Sequence, residues 1–199
     1  MILNSISDRQ FEIIQAAGKL LSTDGVSGLT IKNLAKEMGF TESAVYRHFE
    51  SKEAMVIGML GYLAENMDER LDKVTHPQKN PKENLQAIFT DQFSFFAKNP
   101  YFVVAIFSDG LWEESQKINA AILRIMQIKM KHLTPVIMSG QQLGYFSNAI
   151  PDEELIHIIM GAFRLLMFKW RVANFQFDLL ERGNYLMSNI LKIIQPCKN

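Results

Sequence analysis

Residues 30–55 read TIKNLAKEMGFTESAVYRHFESKEAM, and the spacing within them decides the fold. Ile31, Leu34, Ala35 and Met38 follow an i, i+3, i+4, i+7 pattern, which lays one apolar stripe along a short helix. Thr30 stands where a hydroxyl accepts from an orphan backbone N–H, and Gly39 ends the segment. Thr41 caps the next helix, with Glu42 facing its positive N-terminus, and after a very short connection Ser51 caps another. The spacing therefore predicts three short helices in close succession.

Placed at about 100° per residue, Val45 and Phe49 share one face of the middle helix. Ser43 and Arg47 lie almost opposite, flanked by Ala44 and Tyr46. A helix whose apolar side is held by its predecessor, and whose outer side is small, hydroxylated and guanidinium-bearing, can enter a DNA major groove without burying an unpaired charge. Ser43 and Ala44 permit close approach, and Arg47 can reach guanine edges or a phosphate.

Working outward, Ser7-x-x-Gln10 is a capping box for a first helix, whose apolar face is Ile13, Ile14, Ala17, Leu20 and Leu21. Gly25 is expected to end it. The fourth helix runs through Met55, Met59, Leu63 and Met67 to about Val74, and a loop with two prolines follows. Helices are then expected over residues 83–98, over a short apolar stretch after Asn99-Pro100, and over residues 114–144, where Pro135 should kink or divide the segment. Residues 152–172 and 178–194 complete an all-α fold of about nine helices. The expected division is an N-terminal three-helix domain over residues 1–52 and a helical body over residues 53–199.

Composition narrows the function classes. The 199 residues carry 21 Lys plus Arg against 21 Asp plus Glu, which excludes wholesale electrostatic coating of nucleic acid or membrane. Cys197 is the only cysteine, so no intramolecular disulfide or multi-cysteine zinc site exists. The apolar run Leu155–Val172 is interrupted by His157, Arg164, Lys169 and Arg171 and reads as a buried helix, not a membrane span. No secretory signal opens the chain, and a cytoplasmic location is expected. His48, His76, His132 and His157 are scattered, and neither a phosphate loop nor a nucleophile motif appears. No catalytic residue, metal set or cofactor is expected.

The stretch from Gly39-Phe40-Thr41 through Val45-Tyr46-Arg47-His48-Phe49 to Ser51-Lys52-Glu53 resembles the tetracycline-repressor (TetR) family, over about residues 8 to 60. The resemblance implies a DNA-binding head followed by a ligand-binding, dimerising body. It implies that Thr41, Tyr46, His48 and Lys52 contact DNA phosphates, that Thr30 and Lys32 contact the backbone from the second helix, and that Glu42, Ser43, Ala44 and Arg47 face bases. Phosphate contacts set position and base contacts set sequence. Glu42 departs from the basic or neutral residue of many relatives, and residues 1–55 hold six basic against seven acidic residues, so general affinity for DNA should be modest.

The last two expected helices carry more apolar surface than a helix pair in a monomer hides: Ile158, Ile159, Phe163, Leu166, Met167 and Trp170 in one, and Leu179, Leu186, Met187, Ile190, Leu191 and Ile194 in the other. A homodimeric four-helix bundle would bury the surplus and space two reading heads for half-sites about 34–36 Å apart or a multiple of that. Charges at Ile190 and Leu191 should disrupt it. Arg164 is expected to form an ion pair at that interface.

By the same resemblance a pocket is expected between the fourth and eighth helices, with Met59, Leu63, Met67, Phe89, Gln92, Phe93, Phe96, Phe102, Phe107, Trp112, Ile125 and Met126 as candidate lining. A phenylalanine or methionine at helical spacing is more often core packing than pocket lining. Gln92 sits in register with Leu85, Phe89 and Phe96, where a buried amide needs a protein group, a water or a ligand. With few formal charges in the set, the expected effector is small and largely apolar, oriented by Gln92 and Trp112, and releases a repressor from its double-stranded operator. The competing expectation is a structural or nucleoid-associated protein with the same head and no small-molecule signal.

Overall fold

The computed structural model describes residues 6–107 and 115–196. Among the described residues there are nine α-helices and no strand: α1 (Asp8–Gly28), α2 (Ile31–Met38), α3 (Glu42–Tyr46), α4 (Lys52–Val74), α5 (Pro81–Lys98), α6 (Tyr101–Phe107), α7 (Gln116–Gln142), α8 (Asp152–Val172) and α9 (Leu179–Ile193). The helices gather into two compact units, residues 1–67 with 99–126 and residues 68–98 with 127–199.

In the first unit the expected capping box is formed: the Ser7 side chain accepts from the Gln10 N–H, and the Gln10 side chain accepts from the Ser7 N–H. Helical hydrogen bonding resumes after Gly25, but Gly25 itself breaks the run at φ +70°, a conformation only glycine adopts cheaply. Ile13, Ile14, Ala17 and Leu21 point inward with Leu34, Val45, Met55 and Phe102. Each of these side chains larger than alanine contributes about 1.5–3 kcal/mol by leaving water. Gly18 lets α6 approach α1, since a Cβ there would stand 2.3 Å from the Tyr101 ring.

In the second unit α5 begins at Pro81, two residues earlier than the spacing suggests. Asn80 and Glu83 cap each other's backbone N–H reciprocally, and proline suits the first turn because its missing donor would be unpaired there. Pro135 does not divide α7. It lies on the exposed side, while Leu133, Val136 and Ile137 are buried and hold the helix on both sides of the missing hydrogen bond. α9 packs on α5 through Gly183, where a Cβ would meet the Phe93 ring at 2.4 Å. The same contact is pinned by Asn184 Oδ1, which accepts from Thr90 Oγ1 at 2.6 Å and Gln86 Nε2 at 3.0 Å.

The α8–α9 connection holds Asn174 at φ +50° and Phe175 at φ +60°, left-handed conformations that cost non-glycine residues free energy. The Phe175 ring meets the Trp170 indole edge-on at 4.8 Å, and the indole N–H donates to the Phe177 carbonyl at 2.9 Å. The apolar residues of α8 and α9 divide between two faces. Ile159, Phe163, Met167, Trp170, Leu179, Met187, Ile190 and Ile194 are buried within the chain, whereas Ile158, Leu165, Phe168, Val172 and Tyr185 are exposed.

Candidate nucleic-acid interface and effector site

α3 is built from its cap inward. Thr41 Oγ1 accepts from the Ala44 N–H at 3.2 Å, and Val45 and Phe49 anchor the helix from beneath with 0% and 7% exposure. Gly39 at φ +66° turns the chain between α2 and α3, with its N–H and that of Phe40 bonded to the carbonyls of Lys36 and Ala35. Thr41, Glu42, Ser43, Tyr46 and Arg47 are left exposed, and Ala44 and His48 half-buried. On α2, Thr30 Oγ1 accepts from the Asn33 N–H at 3.1 Å, and Thr30 and Lys32 are exposed.

Two of the expected contact residues have structural partners as well. The His48 carbonyl accepts from Gln10 Nε2 at 3.2 Å, and Lys52 Nζ donates to the Val26 carbonyl at 3.3 Å, placing its charge at the carbonyl end of α1 where a cation is favoured. Lys36, exposed and one helical turn beyond Lys32, is a basic residue that the sequence reading passed over; its i+4 spacing was the available signal.

The expected pocket lining falls in both units. Met59, Leu63, Met67, Phe102 and Ile125 are buried in the first unit, where Phe107 is half-buried and Met126 is 55% exposed. Trp112 lies outside the described residues. Phe89, Gln92, Phe93 and Phe96 are buried together in the second unit. There Phe163 stacks at 5.5 Å from both Phe89 and Phe93 and 6.5 Å from Phe96, and Gln92 Nε2 donates to Asp91 Oδ2 at 3.3 Å. The amide's partner is thus a protein carboxylate, itself paired with Arg70, whose guanidinium lies 4.1 Å above the Phe95 ring.

Lys129 is a second residue absent from the sequence-based expectations. Its ammonium lies 4.1 Å from the Phe163 ring centroid, and the residue lines a cavity of about 10 Å³ with Leu71, Ile88, Phe89, Gln92, Leu133 and Met160. The register of Lys129 with Ile125, Leu133 and Val136 marks it as a charge on an apolar stripe. Burial, reinforced by repulsion from Arg70, pushes its ammonium down from 10.5 to about 7. A folded-state pKa below the unfolded one means that the unfolded chain binds more protons between these values, so this group's contribution makes stability rise as pH climbs from about 7 towards 10.5. Urea unfolding of wild type and Lys129→Met across that range should show the rise reduced in the variant; parallel curves would contradict the assignment.

His132 proves to be partnered. Its Nε2 lies 2.7 Å from Asp68 Oδ1, an oxygen that also accepts from Lys131 Nζ at 2.8 Å, and its Nδ1 lies 3.9 Å from Asp72. Burial pushes the Asp68 carboxyl up, but hydrogen bonds from Lys131 and His132 outweigh it and hold the group below its ordinary value. The ligand atoms of Asp68, Asp72 and His132 lie within 4.8 Å of one another, yet the Lys131 ammonium already occupies the electrostatic place of a cation.

A family model described as bacterial regulatory proteins, tetR family, matches residues 13–59, and one described as the C-terminal region of YsiA-like protein matches residues 59–193. The nucleoid occlusion factor SlmA of Marinomonas sp. (strain MWYL1) is 28% identical over 174 residues, covering 81% of this chain and 88% of that protein. The ketosteroid transcriptional regulator KstR2 of Mycobacterium tuberculosis superposes with a TM-score of 0.82 at 20% identity, covering 99% of this chain and 100% of that one. The transcriptional regulator FadR from Bacillus subtilis, solved in complex with stearoyl-CoA, superposes with a TM-score of 0.80 at 19% identity, covering 93% and 99%. At these identities the structural likenesses speak for the fold. No helix among the described residues is long and apolar enough to cross a membrane.

Proposed function

Because the chain belongs to the tetR family of bacterial regulatory proteins, we propose that this DNA-binding regulator acts in the cytoplasm as a homodimeric repressor, released from its operator by a small, largely apolar effector. The observation that carries the proposal is the outer face of α3, where Ser43, Tyr46 and Arg47 are exposed around a helix fixed by the Thr41 cap and the buried Val45 and Phe49. In this reading residues 1–52 are the DNA-binding head and residues 53–199 the effector-binding and dimerising body. Glu42, Ser43, Ala44 and Arg47 face bases, while Thr30, Lys32, Thr41, Tyr46, His48 and Lys52 position the head on the backbone.

Arg47→Ala is expected to alter sequence preference, read as a changed profile in binding-site selection from random DNA. Lys52→Ala should instead weaken binding to all sequences alike and flatten the salt dependence by about one unit of slope. An unchanged selection profile for Arg47→Ala would show that this residue does not read bases.

The effector half of the proposal is supported by the Phe89, Phe93, Phe96 and Phe163 cluster, and by the stearoyl-CoA held by a regulator of similar fold. An effector releases DNA only if it binds the two states of the protein unequally. The name of the 28% identical relative favours a second reading, a nucleoid-associated DNA-binding protein without an inducer. Mapping bound sites across the genome in cells, with and without an effector that weakens operator binding in vitro, separates the two: indifference to every metabolite favours the second.

A further inference from the structure

We propose that the effector carries a single anionic group, received by the Lys129 ammonium in the aromatic cluster of the second unit. The inference rests on the effector reading above and names the ligand's chemistry. Among the charged residues in contact with the cluster's rings or its amide, Arg70 and Asp91 pair with each other, and Lys129 faces the Phe163 ring with no carboxylate at ion-pair distance among the described residues. The sequence reading saw few charges able to recognise an ionic ligand; the fold adds one that no expected lining residue supplied.

A half-buried ammonium beside Leu71, Ile88, Phe89, Leu133 and Met160 loses part of its hydration, and the cation–π contact at 4.1 Å returns only some of that. A methionine or leucine would fill the same space without that cost, so the charge needs a use. An incoming anion supplies one, because pairing in surroundings of low polarity is stronger than in water.

The same geometry limits the ligand. Gln92 directs its amide N–H to Asp91, which leaves the Lys129 ammonium as the principal donor among the residues lining the cavity, and one ammonium pairs with one negative charge. The cavity of about 10 Å³ admits about one water molecule, so a ligand chain enters only as apolar side chains move apart, and the unbranched Met160 is suited to that. The chemistry that fits is an apolar chain ending in a carboxylate, with a singly charged phosphate monoester as the other source of the same head.

Dodecanoate, dodecyl phosphate and 1-dodecanol, each below its micellar concentration, should be titrated calorimetrically into full-length wild type, Lys129→Met and Lys129→Gln. Dodecanoate is expected to bind wild type at least about tenfold more tightly than the alcohol, equivalent to about 1.4 kcal/mol, and to lose that advantage in both variants. Tighter binding of the phosphate with the same dependence on Lys129 supports the site and assigns the head to the monoester. Equal affinity for acid and alcohol in wild type, or an acid preference that survives in both variants, overturns the inference while leaving an apolar effector in place. Failure of all three to bind wild type also overturns it. The effector reading itself falls only if no compound in a broad metabolite set, neutral ones included, weakens operator binding.

Discussion

Phe163→Ala is expected to lower the stability of the protein by about 3–5 kcal/mol, the range for removing a buried aromatic ring. Phe163 is 0% exposed and its ring lies against those of Phe89, Phe93 and Phe96. Truncation therefore removes several ring contacts at once and leaves a hole beside residues drawn from two further helices, α5 and α7. Because α5 is also gripped by α9 through Gly183 and Asn184, its ring side cannot readily collapse into the space. Against a total of about 5–15 kcal/mol for a domain, the loss is large. It appears as a lower urea midpoint with little change in slope. A midpoint shift worth under about 1 kcal/mol would mean that the cluster is not the packed centre described above.

Leu165→Glu combined with Phe168→Glu is expected to yield a folded monomer whose operator affinity is lower by about 10²–10⁴-fold, the factor that linking two binding modules supplies. The exposed face of α8 and α9 carries Leu165 at 58%, Phe168 at 51%, Val172 at 65% and Tyr185 at 63% exposure, beside a groove of about 250 Å³ lined by Leu165, Leu166, Lys169, Arg182 and Tyr185. A second copy of the same face would bury these residues and fix two heads as one ligand for DNA. Sedimentation of the double variant as a dimer would place the interface elsewhere. Spacing alone nominates Ile190 and Leu191 for this experiment, with monomers or unfolded protein as the outcome; Leu191 is half-buried, but Ile190 is 7% exposed and belongs to the chain's own core, so a charge there is expected to unfold the protein before it can report on association.

That correction shows where sequence spacing stops being informative. The α2–α3 turn was legible because its determinants are local: a hydroxyl at Thr30 and Thr41, a glycine at position 39, and apolar residues one helical repeat apart at Val45 and Phe49. Choosing between Ile190 and Leu165 is a different problem. Both sit on apolar helices, and only the packing of α9 on α5 and on α8 decides which faces are left over. Ile125 and Met126 illustrate the same limit, since adjacent helical positions point about 100° apart and only Ile125 is buried. Lys129 stayed invisible because a lone lysine in a helical stripe ordinarily reaches water by its stem; its half-burial depends on Phe89 and Met160, distant in sequence.

The turn from α8 into α9 ties two residues to a shared evolutionary path. Phe175 holds a left-handed backbone that favours glycine or asparagine, and its ring on Trp170 offsets that cost. Were Trp170 lost, Phe175 would keep the conformational penalty without the packing, and a smaller residue at 175 would become the better choice. Were Phe175 replaced first, one flank of the indole would face water. Descendants of this sequence should therefore keep both aromatic residues or change them as a pair, and a chimera that imports α9 with its preceding turn from a relative needs the tryptophan's counterpart in α8 to come with it.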